Sequence, residues 1–355
     1  MSVASTAVPR LLERVEAESG QNVYACYQCG KCMAGCPFGL APQQVVRLLQ
    51  LGQVEAALAH PTTWHCASCL ACATVCPKGL NPARLQRTLR HLARSAHRVH
   101  GDGRDPGAVA RGLRTALFAH IHRLSRWGSA LAPVSNWLLH LPGTGLVAEL
   151  ALGIHRARPL PPFARPTFPA WFRRHQPQGD GHRGRVLLFH DTFMDYNFPQ
   201  TGISATELLE RAGFRVELAD MVCCGRPMIS KGLLDAAARQ ARANLSRLYE
   251  PARQGLPIVG CEPSCLLTLR DDYPELVSGP EWRERARTVA AQARLIDEFL
   301  AELHARGMLA LGFRPPEDQR RDVLFHAHCH QRALAVPEAS LALLRLAGYR
   351  AELTD

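Results

Sequence analysis

Cys26-Tyr27-Gln28-Cys29-Gly30-Lys31-Cys32-Met33-Ala34-Gly35-Cys36-Pro37 and Cys66-Ala67-Ser68-Cys69-Leu70-Ala71-Cys72-Ala73-Thr74-Val75-Cys76-Pro77 decide how this chain is read. Each stretch is a C-x2-C-x2-C-x3-C-P run. A [4Fe–4S] cube needs four thiolates approaching from four directions. Three closely spaced cysteines wrap one cube, and the fourth, just before proline, reaches the other cube of a pair. By that crossing rule Cys26, Cys29, Cys32 and Cys76 hold cluster 1, and Cys66, Cys69, Cys72 and Cys36 hold cluster 2. C-x2-C pairs also suit tetrahedral zinc. Zinc gives no reason for a third cysteine at fixed spacing, for the proline, or for the duplication. The pattern points to electron carriage.

Working outward, 355 residues leave room for two or three domains with substantial cores. The 13 cysteines fall in metal-type spacings, and the N-terminal stretch has no apolar secretory region. A reducing cytoplasm is the expected compartment, with thiolates on iron rather than in disulfides. Peripheral contact with the inner membrane face is the further expectation. The formal charge of +11 overstates the balance, because ligand thiolates and clusters add negative charge. The basic residues are mostly arginine: Arg84, Arg87, Arg90, Arg94, Arg98, Arg104, Arg111, Arg114, Arg123 and Arg126 lie between Pro82 and Trp127. The first of them share a helical pattern with Leu85, Leu89 and Leu92 and read as the solvated face of an amphipathic helix. No nucleic-acid motif or aromatic interleaving accompanies them, so no nucleic acid is expected. An acidic partner protein or an anionic membrane surface fits the charge better. Residues 128–148 carry no Asp, Glu, Lys or Arg, but Pro133, Pro142, Gly143 and Gly145 interrupt them, with Asn136 and His140 inside. That argues against a spanning helix and for buried or interfacial packing.

The organisation reads as an α+β multidomain chain. Residues 1–97 form an all-α unit: Ala41–Ala59 has a helical apolar stripe, and Asn81-Pro82 opens another helix with proline in its first turn. The 29 residues between Cys36 and Cys66 contain helix, not a hairpin. Residues 98–184 are a helical and proline-rich connector, with a loop at His100–Gly107 and an extended Pro159–Pro169 that Trp171 and Phe172 anchor to a neighbouring surface. From Arg185 onward, short strands at Val186–Phe189, Phe214–Leu218, Pro257–Gly260 and Val323–Phe325 alternate with helical patterns at Leu233–Tyr249 and Ala286–His304. Such alternation argues an α/β domain with a mainly parallel sheet.

That third unit reads as a duplication. Leu208–Asp220 (LLERAGFRVELAD) aligns with Leu343–Asp355 (LLRLAGYRAELTD), and Leu188-Phe189-His190 with Leu324-Phe325-His326. Repeat 1 spans about 185–320 and a partial repeat 2 about 321–355. In repeat 1 the chain continues into Cys223-Cys224-Gly225; in repeat 2 the sequence stops short of the equivalent point, which reads as truncation. Cys223, Cys224, Cys261 and Cys265 form a tentative redox centre, open to a third iron–sulfur centre, a thiol pair or zinc. His326, His328 and His330 alternate around Cys329; on a strand they could converge as a zinc site.

The residues NVYACYQCGKCMAGCPFG and WHCASCLACATVCPKGL resemble the C subunit of heterodisulfide reductases. CCGRP, GCEPSC and HCHQ resemble the cysteine-rich CCG domain of the B subunit. That domain also occurs in iron–sulfur subunits of glycolate, lactate and anaerobic glycerol-3-phosphate dehydrogenases, and the connector is similar to that of iron–sulfur oxidoreductases partnering FAD-linked dehydrogenases. The resemblance implies an electron-transfer subunit that relays electrons from a flavoprotein dehydrogenase, acting on a 2-hydroxy acid or similar substrate, through two [4Fe–4S] clusters. The acceptor is quinone-linked or membrane-anchored, or a thiol/disulfide. No flavin or NAD fingerprint is present, so substrate chemistry lies on another chain. Two alternatives stand beside it: catalytic disulfide reduction at the CCG cysteines, and redox or oxygen sensing. This sequence departs from the family at His190-Asp191-Thr192-Phe193, where repeat 1 lacks its leading cysteine, and at Cys261 and Cys265, spaced C-x3-C.

Overall fold

A computed structural model describes residues 7–99, 106–309, 311–313 and 321–354. They form two compact units. The first comprises Met1–Arg104, Met228–Asp235 and His328–Ala335; the second comprises Asp105–Pro227, Ala236–Ala327 and Val336–Asp355.

The described elements of the first unit are helices. Pro42 starts a helix that runs to Gln50 and buries Val45, Val46 and Leu49, spaced to fall on one side. The single helix expected over 41–59 is in fact two. The chain turns at Gly52, in the left-handed region at φ 71°, and a second helix, Val54–Ala59, buries Val54 and Ala57. The long helix Pro82–Val99 sets Leu85, Leu89 and Leu92 into the same core as Val15, Val23, Val45, Val46 and Leu49. Its arginines are not all solvated as their spacing suggests. Arg87 and Arg90 are 7% and 4% exposed, because other segments cover the side of the helix opposite its leucines. One cover is the loop at Gly232. Its φ is 71°, and a Cβ there would sit 2.5 Å from Arg90 Cβ, so only glycine fits.

The second unit holds a four-stranded parallel sheet in the order β2-β1-β3-β4, formed by β1 (Arg185–Phe189), β2 (Arg215–Leu218), β3 (Ile258–Gly260) and β4 (Ala293–Leu295). Val186 to Phe189 are all buried, as expected of a strand covered on both faces. The helical pattern expected over 286–304 is broken: Pro280–Gln292 and Ile296–Ala305 flank β4, whose pairing with β3 outweighs local helix preference. A separate parallel pair joins β5 (Asp322–Phe325) to β6 (Arg350–Leu353). Helix Pro199–Arg211 lies between β1 and β2, and helix Pro337–Leu346 between β5 and β6; Gly213 and Gly348 follow them at φ 93° and 92°.

The segment expected as connector packs within this unit. Phe168, fully buried, joins Val186, Leu188, Leu209 and Val259, with Trp171 and Phe172 against them. A Cβ at Gly202 would lie 2.6 Å from the Phe168 ring, so glycine there admits the anchor. Of the two packings expected for residues 128–148, buried or interfacial, the helices Ile121–Ala130, Val134–Leu139 and Thr144–Leu152 do not show the buried one. Trp127, Leu131, Val134, Trp137, Leu138, Val147 and Leu150 are exposed, Leu150 by 77%. Among the described residues no helix is long and apolar enough to cross a membrane.

Candidate functional site

The two cysteine runs fold into the same local shape. After Cys26, Gln28 takes φ 64° and Gly30 φ 80°; after Cys66, Ser68 takes φ 55° and Leu70 φ 66°. Gln28, Ser68 and Leu70 are the non-glycine residues at positive φ among the described residues. Left-handed turns on either side of the second cysteine curl the loop inward and aim backbone N–H groups at sulfur. Ser68 N donates to Cys66 Sγ at 3.3 Å, and Gln28 Nε2 to Cys26 Sγ at 3.4 Å. Beyond each fourth cysteine the chain turns again, with Gly39 N donating to Cys36 O and Gly79 N to Cys76 O, both at 3.1 Å.

Short helices then split each run between two cavities. Lys31–Ala34 carries Cys32 to one cavity and delivers Cys36 to the other; Ala71–Thr74 does the same for Cys72 and Cys76. One cavity, about 340 Å³, is lined by Cys26, Cys29, Cys32 and Cys76 with Pro77, Leu80 and Val46. The other, about 320 Å³, is lined by Cys36, Cys66, Cys69 and Cys72 with Leu40, Leu70 and Ala83. Burial pushes the thiols of Cys32 and Cys69 up, and that of Cys72 up to about 12. Such thiols ionise when a metal takes the charge.

Sequence reasoning missed a residue beside the second cavity. Arg90 donates through Nε to Thr63 O, and through its two Nη atoms to Ser230 O and Cys66 O. The signal was faint: an arginine on the leucine-lined helix, in register with its neighbours. Arg94 Nε adds a bond to Lys231 O at 2.7 Å.

The histidine set assembles in part, and not through strand alternation: ligand atoms of His328, Cys329 and His330 lie within 4.8 Å of one another, while His326 stays apart. The strand ends at Phe325, and His328 caps a helix, Cys329–Leu334, by accepting from His330 N at 3.1 Å. His326 bonds Thr354 instead, at 3.0 Å. Cys329 Sγ lies 3.9 Å from Nδ1 of both His328 and His330, and His330 Nε2 meets Ser68 O at 3.0 Å.

In the second unit Cys223, Cys224 and Cys265 lie together. They line a cavity of about 290 Å³ with His122, His190, Asp191, Thr192 and Asp195. Cys261 does not line it; its charged neighbours are Asp191, Asp297 and Glu262, and burial pushes its thiol up to about 12. The loop bearing Cys223-Cys224 is clamped by two buried side chains. Asn244 accepts from Val222 N at 2.8 Å and donates to Val222 O at 3.1 Å and to Tyr273 Oη at 2.7 Å. Tyr273 Oη donates to Cys224 O at 2.9 Å.

Residues 25–80 match the family model of a 4Fe-4S dicluster domain, and residues 187–270 that of a cysteine-rich domain. The chain is an iron–sulfur protein that joins these two domains. It is similar to the C subunit of anaerobic glycerol-3-phosphate dehydrogenase from Escherichia coli K12, 31% identical over 168 residues, 47% of this chain and 42% of that one. It is also similar to lactate utilization protein A of Oceanobacillus iheyensis, 29% identical over 164 residues, 45% of this chain and 63% of the relative. The same-named protein of Geobacillus kaustophilus is 29% identical over 173 residues, 45% of this chain and 64% of the relative. The chain thus spans less than two thirds of the curated relatives it matches. No solved structure matches it.

This iron–sulfur protein carries two [4Fe–4S] clusters. The donor chemistry fits them: each cavity presents four soft sulfurs, apolar walls and N–H groups aimed at sulfur. When bound, the clusters supply one-electron redox chemistry. The protein's own part is to hold each thiolate in place, exclude water with Leu40, Leu70, Leu80 and Ala83, and stabilise negative sulfur with N–H donors.

Proposed function

We propose that this chain is the electron-transfer subunit of an oxidoreductase complex, taking electrons from a flavoprotein dehydrogenase that oxidises a 2-hydroxy acid or similar small substrate. The observation that carries the reading is the crosswise sharing of two cysteine runs between two cavities of one helical unit. Cys26, Cys29, Cys32 and Cys76 would hold cluster 1, and Cys66, Cys69, Cys72 and Cys36 cluster 2. Cys32 and Cys36 are four residues apart and serve different clusters, which keeps the redox centres close enough for exchange. The named functions of the relatives, glycerol-3-phosphate dehydrogenase and lactate utilization, support a dehydrogenase partner.

On the same reading the chain has three parts, divided near residues 97 and 184, and the last is a duplicated CCG domain. The matching β-α-β arrangements of β1–β2 and β5–β6 support the duplication. The acceptor is quinone-linked or a thiol/disulfide, and the exposed apolar side chains of Trp127, Trp137, Val147 and Leu150 support cytoplasmic attachment to the inner membrane surface. Arg123 and Arg126 are exposed on helix Ile121–Ala130, and no acidic residue occurs from Pro106 to Ala148.

The test is to purify the chain without oxygen and mix it with reduced flavoprotein dehydrogenases for lactate, glycolate and glycerol 3-phosphate. Rapid bleaching of the cluster absorbance by one of them, with co-purification of that partner, is expected. Clusters that chemical reductants reach but none of these dehydrogenases reduces would overturn the reading. A disulfide reductase is the second reading, favoured by the three-thiol cavity. It predicts disulfide turnover with a reduced dye that Cys224→Ser abolishes.

A further inference from the structure

The two cysteine runs share one spacing, so the positions at which they differ show what sets the two cavities apart. Crosswise sharing builds the rim of the cavity of Cys26, Cys29, Cys32 and Cys76 from both runs. Tyr27 and Lys31 come from the first, and Lys78, next after Cys76-Pro77, from the second. Their counterparts about the other cavity are Ala67, Ala71 and Phe38. Of the chain's 42 basic residues only three are lysines, and two of the three stand at this one rim. Lys31 lines the cavity, and Lys78 Nζ lies 5.8 Å from the centre of the Tyr27 ring, which has Cys29, Cys76 and Cys26 as neighbours. Both lysines are exposed, and among the described residues neither is in an ion pair. From Ser19 to Gly101 the single carboxylate is that of Glu55, on helix Val54–Ala59.

The cavities differ in cover as well. Cys29 is exposed, and Tyr27 beside it is 57% exposed. At the corresponding places of the second run Cys69 is half-buried, and Ser68, Leu70 and Cys72 are buried. The cover belongs to the same unit: Ala333 and Leu334 of helix Cys329–Leu334 pack against Leu70, Cys72 and Ala83, and His330 Nε2 meets Ser68 O at 3.0 Å. Electron exchange between two proteins falls off steeply with distance, so an exposed ligand sulfur favours it and a packed helix opposes it. The rim of the open cavity adds an aromatic ring, which gives contact area at little cost in entropy, and two free cations, which attract a partner of opposite charge from a distance.

We propose that Tyr27, Cys29, Lys31 and Lys78 form the docking surface at which an acidic redox protein, its carboxylates arranged about its own cofactor, exchanges electrons with this chain. This rests on the relay reading and names the end of the relay at which the partner sits. In the step one electron leaves the partner's reduced cofactor and enters at Cys29; no bond forms or breaks and no proton moves. The charges on both sides are exposed, so their attraction reaches about 8 Å at physiological ionic strength and weakens as salt is added. An anionic lipid surface would meet the same two cations, but it has no electron to give to the sulfur at the centre of the rim.

The test uses the full chain purified without oxygen, with both clusters in place, and flavodoxin, an acidic flavoprotein, as the probe. Carbodiimide joins lysine amines to carboxylates and leaves arginine untouched, so the three lysines report the contact. Cross-links mapped by mass spectrometry are expected at Lys31 and Lys78 and not at Lys231, and they should fade as salt rises. Lys31→Gln with Lys78→Gln should weaken flavodoxin binding, and slow its reduction of the clusters, on the order of 10-fold at low ionic strength. Arg173→Gln with Arg174→Gln removes the same charge from exposed positions of the second unit and should leave both near the parent's. Reduction by a neutral deazaflavin radical should be unchanged in either variant. Cross-links at Lys231 alone or at no lysine, equal weakening in the arginine variant, or a lysine variant that binds flavodoxin as the parent does would each overturn the assignment. Slowing of the neutral reductant to the same extent would also overturn it, because the lysines would then set the cluster's potential. So would a lysine variant that loses binding only to phosphatidylglycerol vesicles, which would give the rim to a membrane. The relay reading fails separately, when none of the three dehydrogenases reduces clusters that flavodoxin reaches.

Discussion

The Arg90 guanidinium donates to the backbone carbonyl of Cys66, so a buried cation holds by its main chain a loop that lines the second cysteine cavity. The same side chain bonds Thr63 O and Ser230 O, which ties three segments of the first unit together. Burial lowers its pKa, and the nearby Cys66 acts in the opposite direction. Arg90→Ala would strand three carbonyls in the interior. We expect a stability loss of about 3 kcal/mol and selective loss of the cluster on Cys36, Cys66, Cys69 and Cys72. Chemical denaturation of the variant and its iron content check this.

The crosswise ligand assignment has its own test. Cys76→Ser should disable the centre of Cys26, Cys29 and Cys32 rather than that of its own run, Cys66, Cys69 and Cys72. About four irons per chain should remain, with the magnetic coupling between clusters gone from the reduced EPR spectrum. Loss of the Cys66 centre instead would reverse the assignment.

Gly30 and Leu70 occupy equivalent places after the second cysteine of each run, both left-handed, at φ 80° and 66°. Only Gln43 Oε1, at 3.8 Å, approaches a Cβ built at Gly30. Gly30→Ala is therefore limited by backbone strain and should cost about 1 kcal/mol, a shift of a few degrees in Tm with the cluster retained.

Tyr273 is fully buried and bonded at its hydroxyl to Asn244 and to Cys224 O. Tyr273→Phe leaves the ring packing but unpairs a carbonyl and an amide N–H. A loss of about 1–3 kcal/mol in denaturant unfolding is expected. A larger effect from Asn244→Ala should follow, because Asn244 also holds both polar groups of Val222.

Asp297 gives a pH prediction. Burial and neighbouring Glu298 raise its carboxyl above the ordinary value, although Ser340 donates to it. The folded pKa is above the unfolded one, so the contribution to stability is present below the unfolded value of about 3.8 and is lost as pH rises through the folded value. Asp297→Asn mimics the protonated form. It should be more stable than the parent at pH 7 and should show a smaller fall in stability between about pH 4 and 7, measured by urea unfolding.

Much of the first unit was legible because cluster chemistry imposes short, fixed spacings. Cys26 to Cys36 and Cys66 to Cys76 announce their partners along the chain, and the glycines after Cys36-Pro37 and Cys76-Pro77 announce the turns. The strands at Val186 and Ile258 were legible because fully buried parallel strands are continuous apolar runs. The helix break at Gly52 and strand β4 were less so: local pattern favoured continuous helix, and only sheet pairing and packing decided against it. The burial of Arg87 and Arg90 ran against their residue type, since nothing local says that a second layer will cover that side.

The amino-acid sequence by itself determined the identities and spacing of the eight cysteines that line the two cavities, because each run's four thiols fall within eleven consecutive residues. It also determined the class of the second unit through its alternating apolar periods. Which cysteines of CCG and C-x3-C face one cavity, and that Arg90 grips Cys66, were decided by tertiary structure alone. Those relationships join residues tens of positions apart, and their geometry depends on which segments pack together and which water is excluded, neither of which a local run of residues encodes.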